Sequence, residues 1–491
     1  MDTTPSQKNQ TSFVGDLTRL VSGTGVASLI SLLAVPVLTR LFPPEAFGVA
    51  AFFTAIVVIL SRLSCLRYEM TIVLPQEAKE AANLLGLSIL ICVLFALFLV
   101  PVAYIVTPLV ASWVDMPALA LFLWFVPLAV FISGIYMALS FWSTRTKHFA
   151  RLSISSVLEE FFSAITKISG GFLGYIGGGM LIIGGIVGKT MATVILGGQI
   201  WRDEGRFFLH HVSFSSMWAG FKRYKKFPLF GSWSILLGVG AWQLPVLLLG
   251  VFFSPVVVGL YALGFRILQM PMYLIGNAIG KVFMQRAAEA HHNNELSFLV
   301  KKVFEKLVQI GLFPMLLLTI MADDLYIVAF GERWEEAGVY TQILSIWAFF
   351  WFLSGPFTSI FAILERQEAQ LKWNICNFSI RLLSIVIGGY YGSALLAISL
   401  LGISGTLIYG AKVLLTLHFS SVKWQFAAGM LLKYTCIFLP AGLFLGMLKL
   451  IYANVWITLG GTVLMAGFYG LYLIYVIYPE FVKFKKESTK V

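Results

Sequence analysis

Apolar runs of about 20 residues recur along nearly the whole chain, each long enough to carry one helix across the hydrocarbon core of a bilayer. They fall near 18–42, 48–66, 82–108, 118–142, 154–174, 179–201, 228–253, 256–280, 305–330, 337–363, 373–391, 394–418, 428–450 and 454–478, about fourteen spans. Of the 491 residues, 59% are hydrophobic and 12% charged, with a mean hydropathy of +0.87. No single soluble core of this size could hide so much apolar surface. The expected fold class is an all-α polytopic membrane protein. The polar start MDTTPSQKNQTS leads into one long run followed by many others, unlike a cleaved signal peptide.

The net charge of +12 does not indicate nucleic acid, because the basic residues are spread through short connections between the runs. Placing the N-terminus in the cytoplasm puts Arg145, Lys147, Arg151, Arg202, Arg206, Lys222, Arg223, Lys225 and Lys226 on one side. Lys281, Arg286, Lys301, Lys302, Lys306, Lys483, Lys485, Lys486 and Lys490 fall on the same side. The opposite loops hold little beyond Arg40, Arg333 and Lys449, so both termini are expected in the cytoplasm. Trp113, Trp142, Trp201, Trp334, Trp373, Trp424 and Trp456 lie near span ends, as an aromatic belt requires.

The longest basic connection separates the first six spans from the rest. The expected organisation is an N-terminal six-helix lobe (1–201), a cytoplasmic linker (202–227), a second six-helix lobe (228–418), and two further helices with a cytoplasmic tail (419–491). Across the linker, LFPPEAFGVAAFF around Gly48 matches FFSPVVVGLYALGF around Gly259, pairing Phe42 with Phe253, Pro44 with Pro255 and Gly48 with Gly259. Each stretch is the outer turn between the first two spans of its lobe. With six spans per lobe, the lobes would be parallel repeats about an axis along the membrane normal, with a central cavity between them.

A charge kept within a span is costly and marks a functional position by default. Arg266, Arg381, Lys167 and Lys189 fall well inside spans, and Arg62 lies nearer the cytoplasmic end. Acidic residues at comparable depth are scarce: Glu159 and Glu160 begin one span, Asp323 and Asp324 end another. Such a cationic lining would attract an anion, and arginine suits phosphate because its planar fork donates two parallel hydrogen bonds. Structural roles stay open for three of these residues. Arg62 can snorkel to the headgroups, Lys167 lies seven residues from Glu160 on roughly one helix face, and Lys189 is the least defined.

Other patterns point to packing. GGIVGKT (Gly184–Thr190) resembles a phosphate-binding loop, but that loop needs four residues between its first glycine and the Gly-Lys pair, where Gly184 leaves three. Gly170, Gly171, Gly174, Gly177, Gly178, Gly179, Gly184, Gly185 and Gly188 instead suit close packing of the fifth and sixth spans. Prolines 36, 101, 127, 245, 271, 314, 356 and 440 fall within spans and can bend them. Cys65, Cys92, Cys376 and Cys436 lie in apolar runs without metal or disulfide spacing, and read as small packing residues. The six histidines, His148, His210, His211, His291, His292 and His418, sit in connections or at span ends and read as solvated rather than metal-binding.

The segment TRLFPPEAFGVAAFF, followed by LRYEMTIVLP and EAKEAANLLGLS, resembles the N-terminal signature of bacterial polysaccharide transporters. YALGFRILQMPMYLIGNAIGKVFMQRAAEA (Tyr261–Ala290) resembles their eighth span and the loop after it. These are the O-antigen and exopolysaccharide flippases of the multidrug/oligosaccharidyl-lipid/polysaccharide exporter superfamily. The resemblance implies a V-shaped cavity between two lobes in the bacterial inner membrane. Through it an undecaprenyl-pyrophosphate-linked oligosaccharide would move from the cytoplasmic to the periplasmic leaflet by alternating access. By position, Arg266, Arg381 and Arg62, with Lys167 and Lys189 behind them, would engage the pyrophosphate or an anionic sugar.

The expected protein is thus a transporter, with no catalytic centre, metal, cofactor or ATPase domain. Its expected partners are the polyprenyl-pyrophosphate-linked oligosaccharide, the bilayer, and a glycan polymerase and chain-length regulator. Proton or sodium-ion coupling would fall to Glu159, Glu160 or Glu69. A drug or metabolite antiporter on the same fold would need a deep carboxylate, which is scarce here. A lipid II flippase is a further relative. A membrane-embedded polymerase or glycosyltransferase would need a sizeable polar loop with catalytic acids, whereas the outer connections here are short.

Overall fold

A computed structural model describes residues 6–114, 116–452 and 454–477. The two termini and the basic tail Lys483–Lys490 lie outside the described residues. Every regular element among the described residues is helical, as expected where the hydrocarbon offers the backbone no other hydrogen-bond partner. The first part of the chain runs α1 (Ser6–Leu41), α2 (Pro44–Ser61), α3 (Ala78–Trp113), α4 (Pro117–Leu123), α5 (Val126–Arg145), α6 (Phe149–Phe172) and α7 (Gly178–His211). A short α8 (Phe214–Arg223) then leads into α9 (Ser232–Phe252) and α10 (Pro255–Pro271). There follow α11 (Asn277–His292), α12 (Leu296–Phe330), α13 (Glu335–Ser354), α14 (Ile360–Ile363), α15 (Gln367–Tyr390), α16 (Ala394–Phe419), α17 (Trp424–Ile451) and α18 (Val455–Tyr472).

Each expected span coincides with one helix or with consecutive helical pieces. Eleven helices among the described residues are long and apolar enough to cross a membrane. The other expected spans fall on α6, α10 and α15. Arg151, Glu159, Glu160 and Lys167 make α6 too polar to count, Glu368, Lys372 and Arg381 do the same for α15, and α10 is short. The protein is a multi-pass membrane protein, and α3 shows the lipid-facing character plainly by exposing Leu94, Leu97, Phe98, Tyr104 and Ile105.

The described chain divides after Ala262 into two compact units. In the first, α1 packs on α6, α6 on α7, and α2 on α7 and α9. In the second, α12 packs on α13 and α17, α13 on α16, and α15 on α16.

The matched sequence stretches meet within the first unit. Pro43 caps α2 and Pro44 supplies its fixed φ at the first helical position, with Glu45 complementing the helix dipole. The chain repeats this entry at α10. Phe42 N donates to Leu38 O (2.8 Å) as Phe253 N donates to Leu249 O (2.9 Å), and Phe47 N→Pro43 O is mirrored by Val258 N→Ser254 O. The two helices touch at their paired glycines. A β-carbon on Gly48 would fall 1.8 Å from the Pro255 carbonyl oxygen, and one on Gly259 would fall 1.9 Å from that of Pro44. Both glycines are therefore required by the same reciprocal backbone approach.

The glycines of α6 and α7 divide by partner. Gly184 and Gly188 of α7 lie against Ser163 of α6, and Gly170 lies against Met180, as expected for close packing of this pair. Gly171 instead admits Leu41 and Phe42 of α1, Gly178 admits Val49 of α2, and Gly179 admits Phe122 of α4. Pro36, Pro101, Pro245, Pro314 and Pro440 lie inside helices, whereas Pro127 and Pro356 begin helical segments.

Two expectations are corrected by burial. Trp142 and Trp334 are fully buried rather than part of a belt, because the Trp142 indole N–H donates to Glu204 (2.8 Å) and Trp334 packs in the core. Cys376 and Cys436 are exposed, so only Cys65 and Cys92 are core packing residues.

Gly48→Ala and Gly259→Ala should each lower the thermal unfolding midpoint, at a cost of roughly 1–3 kcal/mol for overpacking. A β-carbon added at Gly185 would meet no atom within 4 Å, so Gly185→Ala should be neutral or slightly stabilising, by about 0.5–1 kcal/mol. Equal midpoints for all three variants in detergent would refute the reciprocal contact.

Candidate functional site

In the first unit the intramembrane cations are held by neighbouring helices. Lys189 of α7 forms an ion pair with Glu159 of α6 at 2.5 Å. Its ammonium lies 4.4 Å from the ring centre of Tyr136 on α5, whose hydroxyl shares a hydrogen bond with Ser155 at 3.2 Å. One of the least defined cations and one candidate coupling carboxylate thus belong to a single group. Glu160, next along α6, is half-buried. Lys167 is also half-buried, with its aliphatic stem against Gly184. Arg62 caps the end of α2 and is exposed, with its Nη1 3.9 Å from Met137 Sδ.

The LRYE segment is a strained turn. Leu66 and Arg67 take consecutive left-handed conformations, at φ 47° and 68°, each a cost of order 1–3 kcal/mol for a side-chain-bearing residue. Several contacts hold it. Arg67 Nη1 reaches Glu69 Oε1 at 3.4 Å, and Tyr68 Oη donates to Phe221 O at 2.9 Å. Arg145 donates to the carbonyls of Ile72, Pro75 and Gln76 at 3.3, 2.5 and 3.1 Å. The Glu69 side chain is fully buried and its Oε2 accepts no hydrogen bond. Desolvation raises its pKa above the ordinary carboxylate value, with Arg67 and Arg62 pulling the other way.

The second unit holds a pair of deeply buried cations. Arg381 of α15 is 1% exposed, its guanidinium 4.9 Å from the ring centre of Trp347 on α13. One turn before it on α15, Asn377 is buried too. Lys412 of α16 is 5% exposed. Its ammonium lies 4.3 Å over Trp373 and donates to Thr358 Oγ1 at 3.0 Å. Trp373 meets Tyr409 edge-on at 5.1 Å and donates to Ile408 O, which sets its orientation. Among the described residues Lys412 forms no ion pair, and the buried Trp347 Nε1 and Asn377 Oδ1 have no hydrogen-bond partner.

Lys412 was missed from the sequence because it sits near the end of its run, where a lysine reads as a headgroup anchor. Its place in IYGAKVLLTL, three residues after Tyr409 and so on that residue's helix face, was the available signal. Arg266 on α10 is exposed, unlike Arg381. Asp323 and Asp324 are matched by Lys449 of α17, which contacts Asp323 closely and Asp324 at 3.6 Å, while Gln342 donates to Asp323 at 2.9 Å. Three of the histidines expected in connections or at span ends, the adjacent His291 and His292 and the distant His418, come together with Glu365 and Arg366 around a pocket of about 760 Å³.

The described residues form a multi-pass helical membrane protein with buried cations, and solved structures share its fold. The chain is similar to a solved structure of the lipid II flippase MurJ in an inward closed conformation (TM-score 0.73, 12% identity, 94% of this chain and 99% of that one). It is also similar to an inward-facing multidrug resistance MATE family transporter of the MOP superfamily (TM-score 0.60, 13% identity, 80% and 94%). A family model described as "Polysaccharide biosynthesis protein" matches residues 37–339, and the chain belongs to that family. A curated relative is the teichuronic acid biosynthesis protein TuaB of Bacillus subtilis (strain 168), 20% identical over 308 residues, 60% of this chain. The match spans 59% of that relative's length.

A carboxyl whose folded-state pKa is raised favours the folded state while protonated. Its contribution is full below the unfolded-state pKa and is lost as pH rises through the folded-state value. Wild-type unfolding midpoints should therefore fall across that window, and Glu69→Gln should flatten the fall. Parallel pH profiles for the two proteins would exclude a buried, protonatable Glu69.

Proposed function

We propose that this protein is a flippase of the inner membrane that moves an undecaprenyl-pyrophosphate-linked oligosaccharide from the cytoplasmic to the periplasmic leaflet. The observation that carries the reading is Lys412, buried in the second unit with no ion pair among the described residues, with the buried Arg381 in the same unit. Desolvating a cation costs several kcal/mol, and ring faces return only part of that. An anion reaching Lys412 would return more. The arginine fork can grip two phosphate oxygens while the lysine supplies a point charge. Family membership supports the glycan, and the likeness to a structure titled lipid II flippase supports a lipid-linked substrate.

Transport proceeds by alternating access without covalent chemistry. Arg266, exposed on α10, meets the substrate first, and Arg381 with Lys412 holds the pyrophosphate deeper in the same unit; Arg62, exposed in the first unit, is a separate candidate contact. Lys167 is a further contact. The Lys189–Glu159 pair and Glu69 are the candidate sites for proton or sodium coupling. A transported cationic drug would be repelled by these cations, which favours the flippase over a drug exporter. A glycan polymerase and chain-length regulator act on the delivered units.

Arg381→Ala, Lys412→Ala and Arg266→Ala, tested singly in a strain lacking its own flippase, should each reduce surface glycan. Losing one charged hydrogen bond costs about 1.5–3 kcal/mol, so binding should weaken by roughly ten- to a hundredfold. Protein level and unfolding midpoint are measured alongside, and Lys412→Arg should retain part of the activity. Full activity of both Arg381→Ala and Lys412→Ala at normal protein levels would sink the anion-site reading.

A further inference from the structure

The helix α8 is built with two faces, and only one of them is used by the protein. Its start is clamped by Asn83 of α3, which donates to His211 O and accepts from Ser213 N, both at 2.8 Å. Ser213 then caps the helix by accepting from Ser216 N. Along the inner face Met217 fits against Gly86, Gly220 rests on Leu84, and Phe221 stacks on Tyr68 at 5.6 Å. Arg223 closes the contact with an ion pair to Glu80 at 2.8 Å.

These contacts also set its depth. α3 opens Ala78-Lys79-Glu80 and carries no charged residue from Ala81 to its end at Trp113. α8 lies against residues 80–86, where α3 passes from charged to apolar side chains, which is the level of the lipid headgroups. The outer face carries Phe214, Trp218 and Lys222, spaced four residues apart and so in one row. Phe214 is 73% exposed and Trp218 51%, with the Lys222 ammonium 5.4 Å over the Trp218 ring. Lys225 and Lys226 follow immediately and are exposed. Aromatic rings beside a row of lysines are the pattern of a helix lying in a membrane interface.

We propose that the outer face of α8 is a binding surface for anionic phospholipid headgroups of the cytoplasmic leaflet. Phe214 and Trp218 enter the boundary between headgroups and acyl chains, and Lys222, Lys225 and Lys226 select negative charge.

The test uses the full chain in nanodiscs of phosphatidylcholine containing a minor fraction of brominated phosphatidylglycerol or brominated phosphatidylcholine, with bromine near the headgroup end of the acyl chains. The signal of Trp218 is the difference in fluorescence quenching between wild type and Trp218→Phe. Brominated phosphatidylglycerol should quench it at a mole fraction roughly tenfold lower than brominated phosphatidylcholine, given three lysines near the surface. The triple variant Lys222→Gln, Lys225→Gln, Lys226→Gln should lose that preference. The matched variant Lys301→Gln, Lys372→Gln, Lys423→Gln, which removes the same charge elsewhere, should keep it. Absence of quenching by either lipid would mean that the face meets water or a soluble partner, and would overturn the proposal. Equal quenching by both lipids, or equal loss in both triple variants, would overturn it as well.

Discussion

Hydrocarbon solvates neither a free peptide group nor a bare charge, and most of this structure follows from that one constraint. It requires helices throughout the described chain. It also explains why ionised side chains find partners on neighbouring helices: Lys189 with Glu159 within the spans, and Lys449 with Asp323 and Asp324 near span ends. Near the ends of α6 and α7 the same logic joins Arg151 to Asp203 and Glu204. Arg381 and Lys412 lie against Trp347 and Trp373. A ring face attracts a cation and so returns part of the cost of taking it out of water.

The second organising contact is steric. Two helices entered through the same Phe-x-Pro geometry cross at Gly48 and Gly259, and each glycine faces the other helix's first carbonyl. No larger residue fits at either place. The weak similarity of the two stretches therefore has a common physical cause, since one reciprocal contact places the same demand on both copies.

The strained turn after α2 shows how a family signature can be structural. Leu66 and Arg67 hold left-handed conformations only because Arg145, Tyr68 and the buried Glu69 fasten the segment from several sides. Tyr68 extends the same network to α8 by donating to Phe221 O, which ties the connection after α2 to that helix. Glu69 looked in sequence like a carboxylate on a connecting loop. Its segment packs against α3 and α5, a tertiary arrangement that local pattern cannot reveal.

The sequence by itself determined the class of fold, because the length and polarity of each apolar run answer to the bilayer alone. It also carried the glycine repeat and the depth of Arg381. Only the tertiary structure decided the partner of each charge. Lys189 meets Glu159, Lys412 is buried although it lies near a span end, and Trp142 turns inward to Glu204. A charge's surroundings are set by which faces of separate helices come together, and that choice is made by packing over the whole chain.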